Sequence, residues 1–144
     1  MASRSGRTRR EQEGPTVYIK RVHVERDICT AVVVGEFELG EAERQFIELI
    51  DEAVLSGATK VLIDGRQMTG SPNSFERFLY GTFAACATLE ALHKHNASLR
   101  FAYVIHEPLR DPKRYGESVA ATMGMDVKTF DDENDAVEWL KGKE

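Results

Sequence analysis

The sequence lacks several features that mark common classes of protein. It has no run of about 18 uncharged apolar residues, which a membrane-crossing helix needs, and no apolar signal-peptide segment near its first residue. It has only two cysteines, Cys29 and Cys86, in separate apolar stretches without the short spacing of a zinc or redox motif. We therefore expect a cytoplasmic protein with no membrane span, no metal, no cofactor and two buried thiols.

Basic residues are also too few for a typical nucleic-acid-binding protein. The 144 residues include 19 Lys and Arg against 24 Asp and Glu, which gives a formal net charge of -5. Four of the arginines lie within residues 1–15 beside two glutamates, so the rest of the chain is more acidic still. Because binding to phosphates requires clustered Lys and Arg on one face, we expect no nucleic-acid partner.

Residues 1–15 differ in composition from the rest of the chain. They are rich in Ser, Arg, Glu and Gly and have almost no apolar side chains, so they cannot offset the entropy lost on ordering. From Thr16 onward apolar residues recur in regular patterns, and the length of the chain suits one domain. We expect a disordered basic tail over 1–15 and a single α/β domain over 16–144.

The apolar patterns beyond Thr16 predict alternating strands and helices. A hairpin is expected to turn near Arg26 and Asp27 between two strands, at 17–25 and 28–34. Helices are then predicted over 41–56, 72–96, 111–124 and from 131 or 132 to 142, and strands over 60–64, 101–105 and 127–130. Helical crossovers make the later strands parallel, so the sheet is predicted to be mixed.

A polar loop leads from the strand predicted over 60–64 into the longest helix, which is predicted over 72–96. The start of a helix presents free N–H groups and a positive dipole end, which suit an anion or a phosphorylated hydroxyl. Ser71 before Pro72 is also well suited to cap the helix, which is the commoner role of such a serine, and Asn73 with Glu76 fits a capping box. Ser71 is thus either a helix cap or a functional hydroxyl.

Two further groups of residues admit both a structural and a functional interpretation. The aromatic stripe Phe75, Phe78 and Phe83 is expected to lie in the core, although it would also suit the wall of an apolar pocket. Polar residues also follow two of the predicted strands, where an open α/β sheet has its ligand crevice. These residues are Asp64, Arg66, His106, Glu107, Arg110 and Asp111. They would serve either general-base chemistry or solvated salt bridges. We expect salt bridges and no enzymatic activity.

The segment from Asp64 to Arg77, together with 123–130 and 136–140, resembles the SpoIIAA-like group of STAS and SEC14-related domains. The likeness extends over about residues 17–140. It implies an α/β fold with a mixed, mostly parallel sheet of four to five strands and helices packed mainly on one side.

The same resemblance implies a function. Anti-sigma-factor antagonists of the STAS type dock a protein partner, and a partner kinase phosphorylates a serine at the start of the helix after the third strand. Here Gly70-Ser71-Pro72-Asn73-Ser74 stands where that family has Asp-Ser-Ser-Gly or Asp-Ser-Ala-Gly. The residues that match the place of the phosphorylated serine, with their neighbours, are Ser71, Ser74, Thr69, Asp64, Arg66 and Arg77.

We therefore expect a non-catalytic regulatory module with a protein partner, and both a monomer and a homodimer fit the sequence. The relation to SEC14 domains implies an alternative, a carrier of a small apolar or lipid-like ligand.

Overall fold

Five strands form one mixed sheet in the computed structural model, which describes residues 16–142. Along the chain the elements are β1 (Val17–Glu25), β2 (Ile28–Glu36), α1 (Leu39–Ser56), β3 (Lys60–Thr69), α2 (Ser74–His95), β4 (Arg100–Val104), α3 (Tyr115–Thr122), β5 (Asp126–Phe130) and α4 (Glu133–Leu140). The strands lie side by side in the same order as in the chain. The tail predicted over 1–15 lies outside the described residues.

The first two strands form the predicted antiparallel hairpin. Arg26 occupies the left-handed region at φ 59° in the turn between them. Asp27 accepts hydrogen bonds from the backbone N–H of Thr59 at 2.9 Å and from Lys60 Nζ at 2.7 Å. The hairpin turn is thereby attached to the start of β3. A bulge interrupts the pairing of β1 with β2 between Ile19 and Arg21.

Strands β2 to β5 pair in parallel, and residues 61–65 of β3 and most of β4 are buried on both faces. Their alternating side chains divide the apolar interior into two clusters. Val61, Ile63 and Phe101 pack under helices α1, α2 and α3, and Leu62 and Ala102 pack under α4 on the other face. The predicted fold class, a mixed and mostly parallel sheet with helices mainly on one side, is confirmed.

Helix α2 contradicts the predicted core placement of its aromatic residues. Its inward face is built from small residues, and at Gly81 an added Cβ would lie 2.7 Å from the carbonyl oxygen of Gly116, so α2 and α3 approach closely there. Phe75 and Phe78 point outward and are 67% and 42% exposed, whereas Phe83 is partly buried against the core. Cys29 is buried as predicted, but Cys86 on the outer side of α2 is exposed.

Several predicted boundaries also differ from the structure, and three of them lie near the candidate site. Strand β3 continues to Thr69, beyond the predicted end at residue 64, because it keeps pairing with β2. Helix α2 begins at Ser74 rather than at Pro72, and α3 begins at Tyr115 rather than at Asp111. Across residues 16–142 no helix combines the length and the apolar character that crossing a membrane requires.

Candidate functional site

The loop between β3 and α2 presents both predicted serines to solvent. Gly70, at φ 119°, turns the chain beside Phe37, and the helix then starts after Asn73. Asn73 Oδ1 accepts from the backbone N–H of Glu76 at 2.8 Å, and Glu76 Oε1 accepts from the N–H of Asn73 at 2.9 Å. This reciprocal capping box makes Asn73 the helix cap.

Ser71 is therefore not the cap of α2. Ser71, Ser74 and Thr69 are all exposed, and Ser74 is the first residue of the helix. Since Asn73 already satisfies the N–H of Glu76, the hydroxyls of Ser71 and Ser74 remain free of the capping interaction. Both side chains are available for modification or for contact with another molecule.

Arg77 fastens the start of α2 to the segment that follows β4. Its guanidinium donates to three backbone carbonyl oxygens: Nε to Pro72 at 2.9 Å, Nη1 to Leu109 at 2.9 Å and Nη2 to Pro108 at 3.0 Å. The planar fork of an arginine suits several fixed acceptors at once. Arg77 thus holds the shape of the surface on which Ser71 and Ser74 lie.

Asp64 and Arg66 lie apart from the serines, on the sheet face that α4 covers. Arg66 forms a bidentate pair with Asp64, from Nε to Oδ1 at 2.9 Å and from Nη2 to Oδ2 at 2.7 Å, and Nη2 also reaches Glu133 Oε1 at 2.9 Å. The hydrogen bonds from Arg66 lower the pKa of Asp64, against the opposing effect of burial. This ion-pair network joins β3 to α4 and does not include Ser71 or Ser74.

The polar residues after β4 are held by hydrogen bonds of their own. The His106 ring and the carbonyl oxygen of Asp131 are 3.0 Å apart, and Arg110 Nη2 donates to Asp131 Oδ1 at 2.6 Å. Asp111 Oδ2 accepts from the backbone N–H of Tyr115 at 2.9 Å. His106 is therefore bonded to a backbone carbonyl rather than to a carboxylate side chain. Within residues 16–142 no cluster of three or more His, Cys, Asp or Glu side chains is placed to hold a metal ion.

An apolar cavity of about 160 Å³ lies between the sheet and helices α1, α2 and α3. Pro72, in the loop before α2, and Arg77, in the first turn of α2, also line it. Most of the wall is aliphatic or aromatic, including Phe37, Phe46, Ile63, Met68, Ile105 and Val127. None of the aromatic residues Phe75, Phe78 and Phe83 of α2, which from the sequence would also have suited the wall of an apolar pocket, lines this cavity.

Two tyrosines that line this cavity are joined through their hydroxyl groups. Tyr80 of α2 and Tyr103 of β4 meet edge to face, with ring centroids 6.4 Å apart, and their hydroxyl oxygens are 2.8 Å apart. Burial raises the pKa of Tyr80 to about 12 and that of Tyr103 well above its ordinary value. Sequence reasoning missed this pair, because the two residues lie on different elements and neither belongs to a recognisable motif.

Comparison with known proteins identifies one family and a common fold. A family model described as SpoIIAA-like matches residues 28–141. The structure of an anti-sigma factor antagonist from Mycobacterium paratuberculosis superimposes with a TM-score of 0.58 at 15% identity, over 89% of this chain and 97% of that chain. The unphosphorylated form of the anti-sigma factor antagonist SpoIIAA gives a TM-score of 0.51 at 14% identity, over 85% and 96% of the two chains. No curated protein sequence matches the chain. At these identities the solved structures demonstrate a shared fold.

Proposed function

Because the chain belongs to the SpoIIAA-like family, as the sequence resemblance implied, we propose that it is a cytoplasmic, non-catalytic regulatory module that binds a protein partner. Two anti-sigma factor antagonists share its fold. The proposed docking surface is the loop and helix start from Thr69 to Phe78. We refer to this segment as the serine surface.

The observation that carries the proposal is the exposure of Phe75. Its side chain is 67% exposed one residue after Ser74, and Phe78 is 42% exposed one helical turn further on. Neighbouring exposed apolar side chains often mark an interaction site, and aromatic residues are enriched at the centres of protein interfaces. The small inward residues of α2 leave these rings outside the core, where a partner can cover them.

Phosphorylation of Ser71 or Ser74 is the proposed switch. A phosphate at the start of α2 would meet the positive end of the helix dipole, so the fold should tolerate it. The same phosphate would place a charge of about −2 beside the exposed aromatic rings. It would therefore act mainly on the docked partner rather than on the stability of the domain.

The experiment compares four immobilised baits in extracts of the source cell: the wild type, Ser74→Asp, Phe75→Ala and Ser98→Asp. Ser98 is an exposed loop serine between α2 and β4, so its variant is the matched charge control. We expect the wild type and Ser98→Asp to retain the same partner, and Ser74→Asp and Phe75→Ala to lose it. Equal capture by all four baits would rule out the serine surface as the docking site.

The cavity supports a second candidate function, a carrier of a small apolar ligand. An apolar cavity of about 150 Å³ in a protein is large enough to bind benzene, and the cavity here has a similar volume. Native mass spectrometry of freshly purified protein tests this function. Extra mass that disappears on denaturation is expected, and a single unliganded species that also fails to bind added apolar probes would exclude it.

A further inference from the structure

The hydrogen bond between the two phenol groups uses only one of their two protons. Tyr80 and Tyr103 together carry two hydroxyl protons, and a hydrogen bond between the two oxygens uses one of them. Neither hydroxyl makes another hydrogen bond within the described part of the chain. Whichever tyrosine donates to the other, the second proton is left without a protein acceptor.

Apolar side chains surround the pair, so they offer no acceptor for the remaining hydroxyl proton. Phe37 and Phe46 lie edge to face with Tyr80, at centroid distances of 6.5 and 6.1 Å. A donor without a partner in apolar surroundings costs free energy, and a ligand oxygen that accepts from it recovers that cost. A phenol is already neutral at physiological pH, and burial raises the pKa of Tyr80 and Tyr103 further, so the pair offers a proton rather than a charge.

The arginines that also line the cavity do not supply a comparable anion site. Arg77 donates to three backbone carbonyls, Arg110 pairs with Asp131, and Arg114 donates to the carbonyl of Thr129 at 3.2 Å. Arg110 Nε is buried without a partner, but the charge of this side chain is already compensated by Asp131. The chemistry of the cavity therefore favours a neutral ligand.

We propose that the cavity binds a small, neutral, apolar molecule bearing one carbonyl group, whose oxygen accepts a hydrogen bond from the Tyr80–Tyr103 pair. A carbonyl fits better than an alcohol because it brings an acceptor without adding a further proton that needs a partner. The cavity volume of about 160 Å³ limits the apolar part to about one ring or a short alkyl chain. This inference rests on the second candidate function, the binding of an apolar ligand.

The test uses two probes of nearly the same shape, acetophenone and α-methylstyrene. Acetophenone has a carbonyl oxygen where α-methylstyrene has a methylene group. Dissociation constants for both are measured by NMR titration of the wild type and of the double variant Tyr80→Phe/Tyr103→Phe. The readout is the change in the ratio of the two constants between the wild type and the double variant, because the different hydration of the probes is the same for both proteins and cancels in that comparison. We expect the preference for acetophenone to fall about tenfold in the double variant, because one hydrogen bond is lost.

Several outcomes separate the proposal from the function on which it rests. Binding of both probes with an unchanged ratio would overturn the carbonyl proposal while leaving the apolar-ligand function intact. Failure of the wild type to bind either probe would overturn both. Tighter binding of benzoate than of acetophenone, abolished by Arg110→Gln, would replace the proposal with an anion site.

A second measurement does not depend on the folding of the double variant. The carbonyl stretching band of acetophenone bound to the wild type is expected at a lower wavenumber than that of acetophenone in hexane, because the tyrosine pair donates to it. A bound carbonyl band at the hexane position would overturn the proposal.

Discussion

Arg77 donates a hydrogen bond from Nη1 to the carbonyl oxygen of Leu109 at 2.9 Å and so joins the first turn of α2 to the segment after β4. The two residues are far apart in sequence, and both line the cavity. The guanidinium group of Arg77 therefore helps to hold the serine surface in place relative to the cavity wall.

Replacement of Arg77 by Lys is expected to destabilise the protein by about 1–3 kcal/mol, although the charge is kept. A lysine cannot satisfy the carbonyls of Pro72, Pro108 and Leu109 together, so acceptors lose their partners. Urea unfolding followed by circular dichroism measures the change. Arg44→Lys is the control, since Arg44 is exposed on α1, and an equal loss in both variants would contradict the tie assigned to Arg77.

The helix cap provides a second prediction. Asn73→Ala should lower the free energy of unfolding by about 1 kcal/mol, because the capping hydrogen bond to Glu76 is lost. Ser71→Ala should change it by less than about 0.5 kcal/mol, because Ser71 is exposed and does not cap α2. The same urea titrations compare the two variants. A larger loss for Ser71→Ala than for Asn73→Ala would show that the helix is capped at the serine.

The ion pair of Asp27 with Lys60 is expected to make the stability of the protein depend on pH in the acid range. The hydrogen bond from Lys60, followed by that from Thr59, lowers the pKa of Asp27 from 3.8 to about 2. Because the folded state holds the carboxylate more favourably than the unfolded state, this contribution is fully present above about pH 4. It is lost as the pH falls through about 2.

Carbon-detected NMR titration of the Asp27 carboxyl should give a midpoint near 2. Asp27→Asn should lower the urea midpoint at pH 6, and the difference from the wild type should shrink toward pH 2. Asp51→Asn, at an exposed position on α1, is the control and should leave the urea midpoint unchanged at pH 6. A titration midpoint near 4 for Asp27 would contradict its attachment to β3.

Replacement of Gly81 by Ala is expected to lower the stability of the protein, although helix propensity alone would predict an increase. Alanine in place of glycine inside a helix normally stabilises it by about 0.5–1 kcal/mol. At Gly81 the new Cβ would lie 2.7 Å from the carbonyl oxygen of Gly116, so we expect Gly81→Ala to destabilise the protein by about 1–3 kcal/mol. Gly40→Ala is the matched control, since its Cβ meets only the Glu38 side chain at 3.6 Å or more, and thermal unfolding should show no loss there.

The sequence predicted those elements whose signals are local. Alternating and β-branched residues located β1 and β2, and helical spacing with Gly57 at its end located α1 within two residues at its start. Asp132 caps α4, one of the two positions expected. Each of these features depends on neighbours within one element, so one sequence is enough to identify it.

Features that depend on distant residues could not be predicted in this way. Helix α2 has apolar residues on two faces, and periodicity does not say whether the large or the small ones point inward; the approach of Gly116 decides in favour of the small ones. The Tyr80–Tyr103 pair and the ties of Arg77 join elements that only the folded chain brings together. The exposed aromatics and the cavity, which carry the functional proposals, both belong to this class.

The bulge in β1 has a consequence for the behaviour of the protein in concentrated solution. Strand β1 is an edge of the sheet within residues 16–142, and most of its side chains are exposed. A flat, regular edge of nine residues would offer its free N–H and C=O groups to another chain and so favour aggregation. The irregular pairing between Ile19 and Arg21, with exposed Lys20 at the break, disrupts that template. The edge is thereby protected against uncontrolled growth of the sheet from one molecule to the next.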